Sequence, residues 1–167
     1  LVDHLVQQGV ALTSTLTVVE RGAPGREPPP PGAQRAMLPQ LREQVMARLE
    51  RAGEPGNNRG ELLTKYMAME KAFYDAGGLL VVGTDPTGGG DVVPGYANQR
   101  AVQLLIEIGL TVEQAVEVAT RNGAIYLEQL EDIGTVEVGK RADLVLMGGD
   151  PAVDPDAFRR MTLVFKD

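Results

Sequence analysis

The chain contains no cysteine and no tryptophan among its 167 residues. Without cysteine it can form neither disulfide bonds nor thiolate metal sites. Aromatic residues make up only 4% of the sequence, so we expect a core of aliphatic side chains and no aromatic platform for bases or sugars. No apolar run reaches the about 18 residues that a membrane-spanning helix needs, and no signal peptide is recognisable.

Basic residues are also in the minority. The chain has 16 lysines and arginines against 23 aspartates and glutamates, which leaves a formal net charge of -7. This balance argues against a nucleic-acid partner, because phosphate binding needs a basic face. It equally disfavours an anionic membrane surface. The cellular compartment and the oligomeric state, a homo-oligomer included, stay open at this point.

Helical and strand patterns alternate along most of the chain, which is typical of an α/β fold. Residues 10–19 are rich in Val, Leu and Thr, and Leu79–Val82 is all apolar, so both are predicted strands. The second is predicted to be buried on both faces, as in a parallel sheet. Helical spacing and capping signals predict helices at residues 1–8, 40–52, 61–76, 98–108 and 111–120. In the third of these helices the predicted buried stripe is Leu62, Tyr66, Met69 and Phe73.

Two segments depart from this alternation. Residues 22–39 contain a run of four prolines at 28–31, and we predict a surface loop there because proline lacks a backbone donor and fixes φ. After Leu130 only short strand patterns remain, around Val136 and Val138, at residues 142–147 and at residues 162–165. The sequence therefore predicts a domain boundary near Leu130, with one domain at 1–130 and a β-rich domain at 131–167.

Asp85 is the first candidate for chemistry because it follows the strand Leu79–Val82 closely, in Gly83-Thr84-Asp85-Pro86. Catalytic groups of parallel α/β folds gather at the carboxyl ends of strands. A carboxylate there can bind a cation or accept a proton from a bound water. The alternative is an Asx turn, which an Asp before a Pro often closes.

Other polar residues near the predicted strands are weaker candidates. Residues 87–91 are glycine-rich but lack the Gly-Lys-Ser/Thr of a phosphate loop, so they predict either a flexible loop or one that contacts substrate. Thr15 could line a pocket at the end of the first strand, or belong to a half-buried strand face. Arg100 could meet an anionic substrate or simply face solvent. The single histidine, His4, precedes the first strand, and we expect it on the surface.

Several motifs together resemble the amidohydrolase superfamily, in its imidazolonepropionase-like and prolidase-like branch. Gly83-Thr84-Asp85 after an apolar strand is similar to the eighth-strand motif of that family. The segments at 94–100, 109–115 and 119–124 resemble the helices that follow it. Residues 133–140 and 142–145 resemble the return of the chain into the small β-sandwich of the family. The resemblance is strong over residues 79–167 and weaker over residues 1–20.

The resemblance implies the C-terminal part of a (β/α)₈ barrel at residues 1–130, followed by strands of a small β-sandwich. It also implies a divalent metal, usually zinc, for which Asp85 would be a ligand and would accept a proton from the attacking water. The other ligands of the family, a His-x-His pair, a Lys or Glu and two later histidines, have no counterpart in the chain. A complete barrel takes about 250 residues, so we expect a piece of a longer protein that is inactive alone.

In function, the resemblance implies a hydrolase that uses metal-activated water to cleave an amide-like C–N bond in a small molecule. A cyclic imide, an amidine or a dipeptide ending in proline would qualify. Some relatives carry a His in the helix after the eighth strand, where this sequence has Asn98 or Gln99. Asn98 thereby joins Thr15 and Arg100 as a candidate substrate contact. The alternative is a non-catalytic scaffold domain of the same fold, degenerate or dependent on a partner.

Overall fold

The computed structural model of the chain describes residues 1–86 and 91–167. Strands and helices are mixed, as expected of an α/β fold. The strands are β1 (Ala11–Ser14), β2 (Leu79–Val82), β3 (Leu144–Met147) and β4 (Met161–Phe165). The helices are α1 (Val2–Gln7), α2 (Leu16–Val19), α3 (Pro31–Ala36), α4 (Pro39–Glu50), α5 (Arg59–Asp75), α6 (Tyr96–Glu107), α7 (Val112–Ala119) and α8 (Arg121–Tyr126), with a 3₁₀ helix at Pro155–Arg159. Within the described ranges, no helix is both long and apolar enough to cross a membrane.

β1 and β2 form a parallel pair in which Ala11 lies opposite Leu79 and Ser14 lies opposite Val82. Parallel strands need a long crossover connection, and helices α2 to α5 supply it. β2 has the predicted bounds, and its middle residues are buried as expected of a strand covered on both faces. Phe73 of α5, Leu105 of α6, Ala115 and Val118 of α7, and Leu110 between α6 and α7 form one core cluster with Leu80 of β2.

The predicted strand at residues 10–19 is wrong in its second half. β1 ends at Ser14, and α2 begins two residues later. The Val18 amide donates to the Thr15 carbonyl at 2.9 Å, which turns the chain into the helix. β-branched residues favour strands only weakly, and burial of Leu16 and Thr17 overrides that preference.

The predicted loop at residues 22–39 is also partly wrong, because it contains α3. Pro31 is the first residue of that helix, where its missing amide costs nothing and its fixed φ fits. The next residue, Gly32, lies under the ring of Tyr96, and a Cβ on Gly32 would stand 2.3 Å from the Tyr96 hydroxyl oxygen. A side chain on residue 32 would therefore displace the Tyr96 ring, and glycine lets α3 pack against the start of α6 with that ring in its present place.

The predicted buried face of α5 is correct at Phe73 and wrong at Leu62 and Tyr66. Leu63, Glu70 and Phe73 are buried, whereas Leu62 and Tyr66 are 41% and 42% exposed. The buried face contains the carboxylic acid Glu70. A prediction from apolar spacing alone excludes such a residue and therefore favoured Leu62 and Tyr66.

The C-terminal part contains an antiparallel hairpin of β3 and β4, with Leu144 opposite Phe165. The strand predicted around Val136 and Val138 is wrong, since this segment is irregular and both valines are exposed. The Lys140 ammonium donates to the Leu130 carbonyl at 2.6 Å, and this hydrogen bond joins the two ends of the irregular segment. The domain boundary near Leu130 stays a prediction.

Candidate functional site

The carboxyl ends of β1 and β2 lie side by side. The Gly83 amide donates to the Ser14 carbonyl at 2.8 Å, which extends the parallel pairing by one residue. The Thr17 hydroxyl donates to the Thr84 carbonyl at 3.1 Å and fastens α2 to the segment after β2. Thr15 and Asp85 therefore leave the sheet at the same end, which is the end where parallel α/β folds place their active sites.

Asp85 lies at this end with an exposed side chain and a φ of 43°. Only a few per cent of non-glycine residues adopt the left-handed region, and Asp is among the types that do so most readily. Strained backbone of this kind clusters at functional sites, although an Asp in a turn adopts it too. The structure thus shows Asp85 where the sequence predicted it, and its role as metal ligand and proton acceptor stays a prediction.

Gly83 allows the two strand ends to approach each other closely. A Cβ on Gly83 would stand 2.6 Å from Cγ2 of Thr13, a distance that real side chains do not reach. A side chain at this position would therefore force the Thr13 side chain at the end of β1 to move.

The other candidate substrate contacts lie in different places. Thr15 is partly buried and forms the N-cap of α2 without a capping bond from its side chain. Asn98 is exposed in the first turn of α6. Arg100, two residues further along α6, points into a charged cleft. All three stay predicted contacts: Thr15 lies at the strand ends near Gly83, whereas Arg100 lines the cleft. His4 is exposed on α1, as expected.

The cleft has a volume of about 610 Å³ and is bounded by α2, the proline-rich segment, α4, α6 and the 3₁₀ helix. Thr17 lines it, so the cleft adjoins the strand ends, while Thr15, Asp85 and Asn98 are not among its lining residues. Its charged lining consists of Glu20, Arg21, Arg26, Glu27, Arg48, Asp91, Arg100, Glu107, Asp154, Asp156 and Arg159.

Four of these charges form one network. Arg100 contacts Glu20 and also Glu107, with Nη1 2.7 Å from Oε1 of Glu107, and Arg26 donates to the other oxygen of Glu107 at 2.7 Å. Burial acts to lower the pKa of Arg100, but the two carboxylates outweigh it and raise that pKa above its usual value. Burial acts to raise the pKa of Glu107, and the two arginines outweigh it and lower that pKa. The Arg100 guanidinium is therefore already occupied by carboxylates.

A second set of ion pairs surrounds Asp91, whose side chain is only 3% exposed. Arg21 contacts one carboxylate oxygen at 2.5 Å, and Arg48 contacts the other. Burial acts to raise the pKa of Asp91, but the two arginines outweigh it and lower that pKa. Asp91 thus fixes the downstream end of the glycine-rich segment to α4 and the end of α2. Residues 87–90, on which the predicted flexible or substrate-contacting loop depends, lie outside the described residues.

Glu70 is a buried acid that sequence reasoning missed. It is 3% exposed, and burial raises its pKa to about 7, while a hydrogen bond with the Ser14 side chain acts in the opposite direction. Its Oε2 atom has no hydrogen-bond partner among the described residues. A charged residue in a mostly solvated helix gives no sign of burial, so only the alignment of Glu70 with Leu63 and Met67 could have indicated it.

The described residues do not by themselves fit a metal. Across residues 1–86 and 91–167, no three or more His, Asp or Glu side chains stand close enough together to hold an ion. Zinc needs three or four ligands, and the strand ends offer the single carboxylate of Asp85. The chain therefore supplies at most one part of a metal site of the kind that the resemblance implies.

The parallel strand pair and the helices that pack against it give the described residues an α/β fold. A sequence model of the amidohydrolase family matches residues 33–165, and the chain belongs to this family. The predicted resemblance is thereby confirmed.

The relatives come from the predicted branch of that family. The chain is 36% identical to imidazolonepropionase of Bacteroides fragilis over 88 residues, 50% of this chain and 20% of that protein. It is 29% identical to imidazolonepropionase of Alkaliphilus metalliredigens over 114 residues, 62% of this chain and 25% of that protein. The chain thus spans a fifth to a quarter of the length of these curated relatives.

Solved structures extend the similarity to nearly the whole chain. A Xaa-Pro dipeptidase with bound methionine in its active site superposes with a TM-score of 0.65 at 20% identity, over 99% of this chain and 35% of that one. The ochratoxinase of A. niger superposes with a TM-score of 0.59 at 19% identity, over 96% of this chain and 31% of that one. At such identities the likeness concerns the fold alone.

Proposed function

We propose that the chain contributes the end of the active site to a metal-dependent hydrolase that cleaves an amide-like C–N bond in a small molecule. Asp85 is its metal ligand and proton acceptor. The observation that carries this role is the position of Asp85 at the carboxyl end of β2, in left-handed backbone, beside the end of β1. Zinc is the expected ion, and the remaining ligands come from residues outside the described part of this chain.

The substrate class follows from the relatives. The similar proteins carry the names imidazolonepropionase and Xaa-Pro dipeptidase, so a cyclic imide, an amidine or a dipeptide ending in proline is the proposed substrate. Thr15, Asn98 and Arg100 are its proposed contacts. For Arg100 this requires the substrate to exchange with Glu20 or Glu107, to which the guanidinium is bound.

We also propose the architecture in which this happens. Residues 1–130 form the last strands and helices of a (β/α)₈ barrel, and residues 131–167 form strands of a small β-sandwich. The parallel pairing of β1 with β2 and the antiparallel pairing of β3 with β4 support this division. The share of the similar structures that the chain covers, 35% and 31%, supports a longer active protein.

A non-catalytic scaffold of the same fold is the second candidate. One observation favours it, namely that the described residues contain no group of metal ligands. For the chain alone we accordingly expect zinc binding no tighter than that of an unstructured acidic peptide. Calorimetric titration with zinc measures this, and a stoichiometric site of sub-micromolar affinity would show that the chain holds a metal by itself.

The replacement Asp85→Asn tests the catalytic role. Asn keeps the size and one carbonyl oxygen but cannot accept the proton, and general base catalysis is typically worth about 10²- to 10⁴-fold. In the longer, active protein that we propose, we expect kcat on an Xaa-Pro dipeptide or a cyclic imide to fall by at least that factor, with an unchanged melting temperature. The matched control is Asp3→Asn, because Asp3 is exposed on α1.

A turn-forming Asp85 gives the opposite result. Asn closes Asx turns as well as Asp does, so near-wild-type turnover of Asp85→Asn would refute the catalytic assignment. If the longer protein with its natural Asp85 turns over no substrate of either class, the scaffold alternative is supported.

A further inference from the structure

One end of the charged cleft holds more guanidinium groups than carboxylates. Arg21 contacts one oxygen of Asp91 at 2.5 Å, and Arg48 contacts the other. Arg59 lies next to Arg48, because a Cβ on Gly22 would stand 2.9 Å from Cδ of Arg48 and 3.4 Å from Cδ of Arg59. Within residues 1–86 and 91–167, Asp91 carries the one carboxylate that pairs with any of these three arginines. The cluster therefore has an excess of positive charge.

The other acids that line the cleft are paired with arginines or exposed to solvent. The pairs join Glu20 and Glu107 to Arg26 and Arg100, Asp154 to Arg160, and Asp156 to Arg159. Glu27 is exposed, and salt screens a charge in contact with solvent. The excess positive charge of the cleft is therefore located at its Asp91 end.

Arg21 and Arg48 keep donors that Asp91 does not use. A guanidinium has five N–H donors in one plane. Arg48 donates to Asp91 through Nη1, and its Nε and Nη2 atoms have no hydrogen-bond partner among the described residues. Arg21 donates to the Val18 carbonyl through Nε and to Asp91 through Nη1, which leaves its Nη2 atom. Both side chains line the cleft and are 28% and 39% exposed, so a ligand in the cleft has access to them.

Apolar side chains of the cleft lie close to these arginines along the chain. Val45 and Leu49 flank Arg48 on α4, and Val92 follows Asp91 directly. The prolines at residues 28–30 also line the cleft. Its volume of about 610 Å³ falls within the range of about 300–1,000 Å³ that is usual for ligand pockets. Such pockets bury the apolar body of an organic ligand and orient it through a few charged groups.

We propose that the Asp91 end of the cleft binds a small organic carboxylate, whose charged group lies on Arg21 and Arg48 and whose apolar body lies against Val45, Leu49 and Val92. A planar carboxylate matches the fork of a guanidinium. Asp91 holds both arginines in place before the ligand arrives, which lowers the entropy cost of binding. An inorganic anion would leave the apolar wall in contact with water. The site does not rest on the proposed function, because Asp85 is not part of the cleft lining.

The first test is a titration of the 167-residue chain with phenylacetate, followed by NMR at the Nε–Hε groups of Arg21 and Arg48. At an ionic strength of about 0.15 M, which screens exposed charges, we expect both signals to shift and to saturate. Acetate, inorganic phosphate and benzyl alcohol should each bind at least about tenfold more weakly, because each lacks either the apolar body or the charge. No saturation with phenylacetate, or equal affinity for acetate and phosphate, would overturn the proposal.

The replacement Arg48→Gln should raise the dissociation constant of phenylacetate about tenfold or more, because it removes a charged donor. The matched control is Arg42→Gln, since Arg42 is exposed on the same helix and should leave the affinity unchanged. Equal affinities in both variants would contradict the site. If Arg48→Gln fails to fold, Arg48→Lys replaces it, because lysine keeps a charge beside Asp91 but offers the ligand only a point charge. This variant should also bind phenylacetate more weakly than the wild type, and unchanged affinity would count against the site.

The carboxylate can belong to the substrate or to a separate effector, and kinetics of the longer, active protein that we propose distinguish the two sources. Competitive inhibition of Xaa-Pro dipeptide hydrolysis by phenylacetate would assign the site to the carboxylate of the substrate. A change in kcat without competition would assign it to an effector. Binding of phenylacetate without turnover of any substrate would count against the proposed function and leave the site standing. Turnover in a protein that does not bind phenylacetate would overturn the site and leave the proposed function standing.

Discussion

Arg100 and Glu20 are joined by three hydrogen bonds across the cleft, from Nε to Oε1 at 3.0 Å and to Oε2 at 3.2 Å, and from Nη2 to Oε2 at 2.9 Å. The two residues are 80 positions apart in the sequence and belong to α6 and to the end of α2. A planar guanidinium suits such a pairing, whereas the ammonium of a lysine offers only a point charge. This pairing therefore links the segments after β1 and β2 at a distance from the strands themselves.

The replacement Arg100→Lys should weaken the fold although it keeps the charge. We expect a loss of about 1–2 kcal/mol in the free energy of unfolding, because bonds between charged groups contribute on that order when partly buried. Urea denaturation measures it. Arg121→Lys is the control, since Arg121, at the start of α8, forms an exposed pair with Glu117 of α7. The control should change the free energy of unfolding by no more than about 0.5 kcal/mol. Equal losses in both variants would contradict a stabilising role of the guanidinium geometry at Arg100.

Asp91 should make the stability depend on acid pH. Its pKa in the folded chain lies below the ordinary value of 3.8. Its contribution is therefore complete above about pH 4 and is lost as the pH falls through the folded value. Asp91→Asn should cost about 1–3 kcal/mol at pH 7, since Arg21 and Arg48 lose their shared partner. Denaturation between pH 2.5 and pH 7 tests both points, and an equally steep acid loss in Asp91→Asn would assign it to other carboxyls.

Gly83→Ala should force the strand ends apart. The added Cβ would meet Cγ2 of Thr13 at 2.6 Å, and overpacking of this kind costs about 1–3 kcal/mol. Thr13→Ser removes that methyl group, so the double variant should recover much of the loss in a double-mutant cycle. Gly53→Ala is the control, because a Cβ there has nothing within 4 Å. The absence of any coupling between positions 13 and 83 would contradict the contact.

Thr111→Ala should destabilise the start of α7. The Thr111 hydroxyl accepts the Gln114 amide, and the Gln114 side chain accepts the Thr111 amide at 2.9 Å. Loss of an N-cap of this kind costs about 1 kcal/mol. Thr64→Ala, which removes a hydroxyl bonded to the carbonyl four residues earlier within α5, should be neutral by comparison. Thermal unfolding of both variants distinguishes the cap from a general effect of losing threonine.

The sequence predicted those features whose causes are local. β2 was recognised from its four apolar residues, and the capping box at Thr111 from two residues three positions apart. The position of Asp85 followed from its place directly after β2. In each case the residues that determine the structure are neighbours in the chain.

Features that depend on contacts between distant parts of the chain could not be predicted from the sequence. The Asp91 ion pairs join it to Arg21 and Arg48 across 70 and 43 positions, and no local pattern indicates them. α2 was mistaken for a strand because its burial depends on α5 and α6. Glu70 was missed because hydrophobic spacing assigns a carboxylic acid to the solvent side, whereas its partner Ser14 lies on another element.

The β3–β4 hairpin has a consequence for handling the protein. Within the described part of the chain it is a two-stranded sheet, so both strands are edges, and β4 is exposed along its whole length. Apolar edge strands are templates for the addition of strands from other molecules. The charges that flank the hairpin lie at its ends, Lys166 paired with Asp143 at one end and Arg160 paired with Asp154 at the other. Cross-β aggregation of concentrated samples is therefore expected to start at residues 161–165, and a lysine in place of Leu163 should delay it.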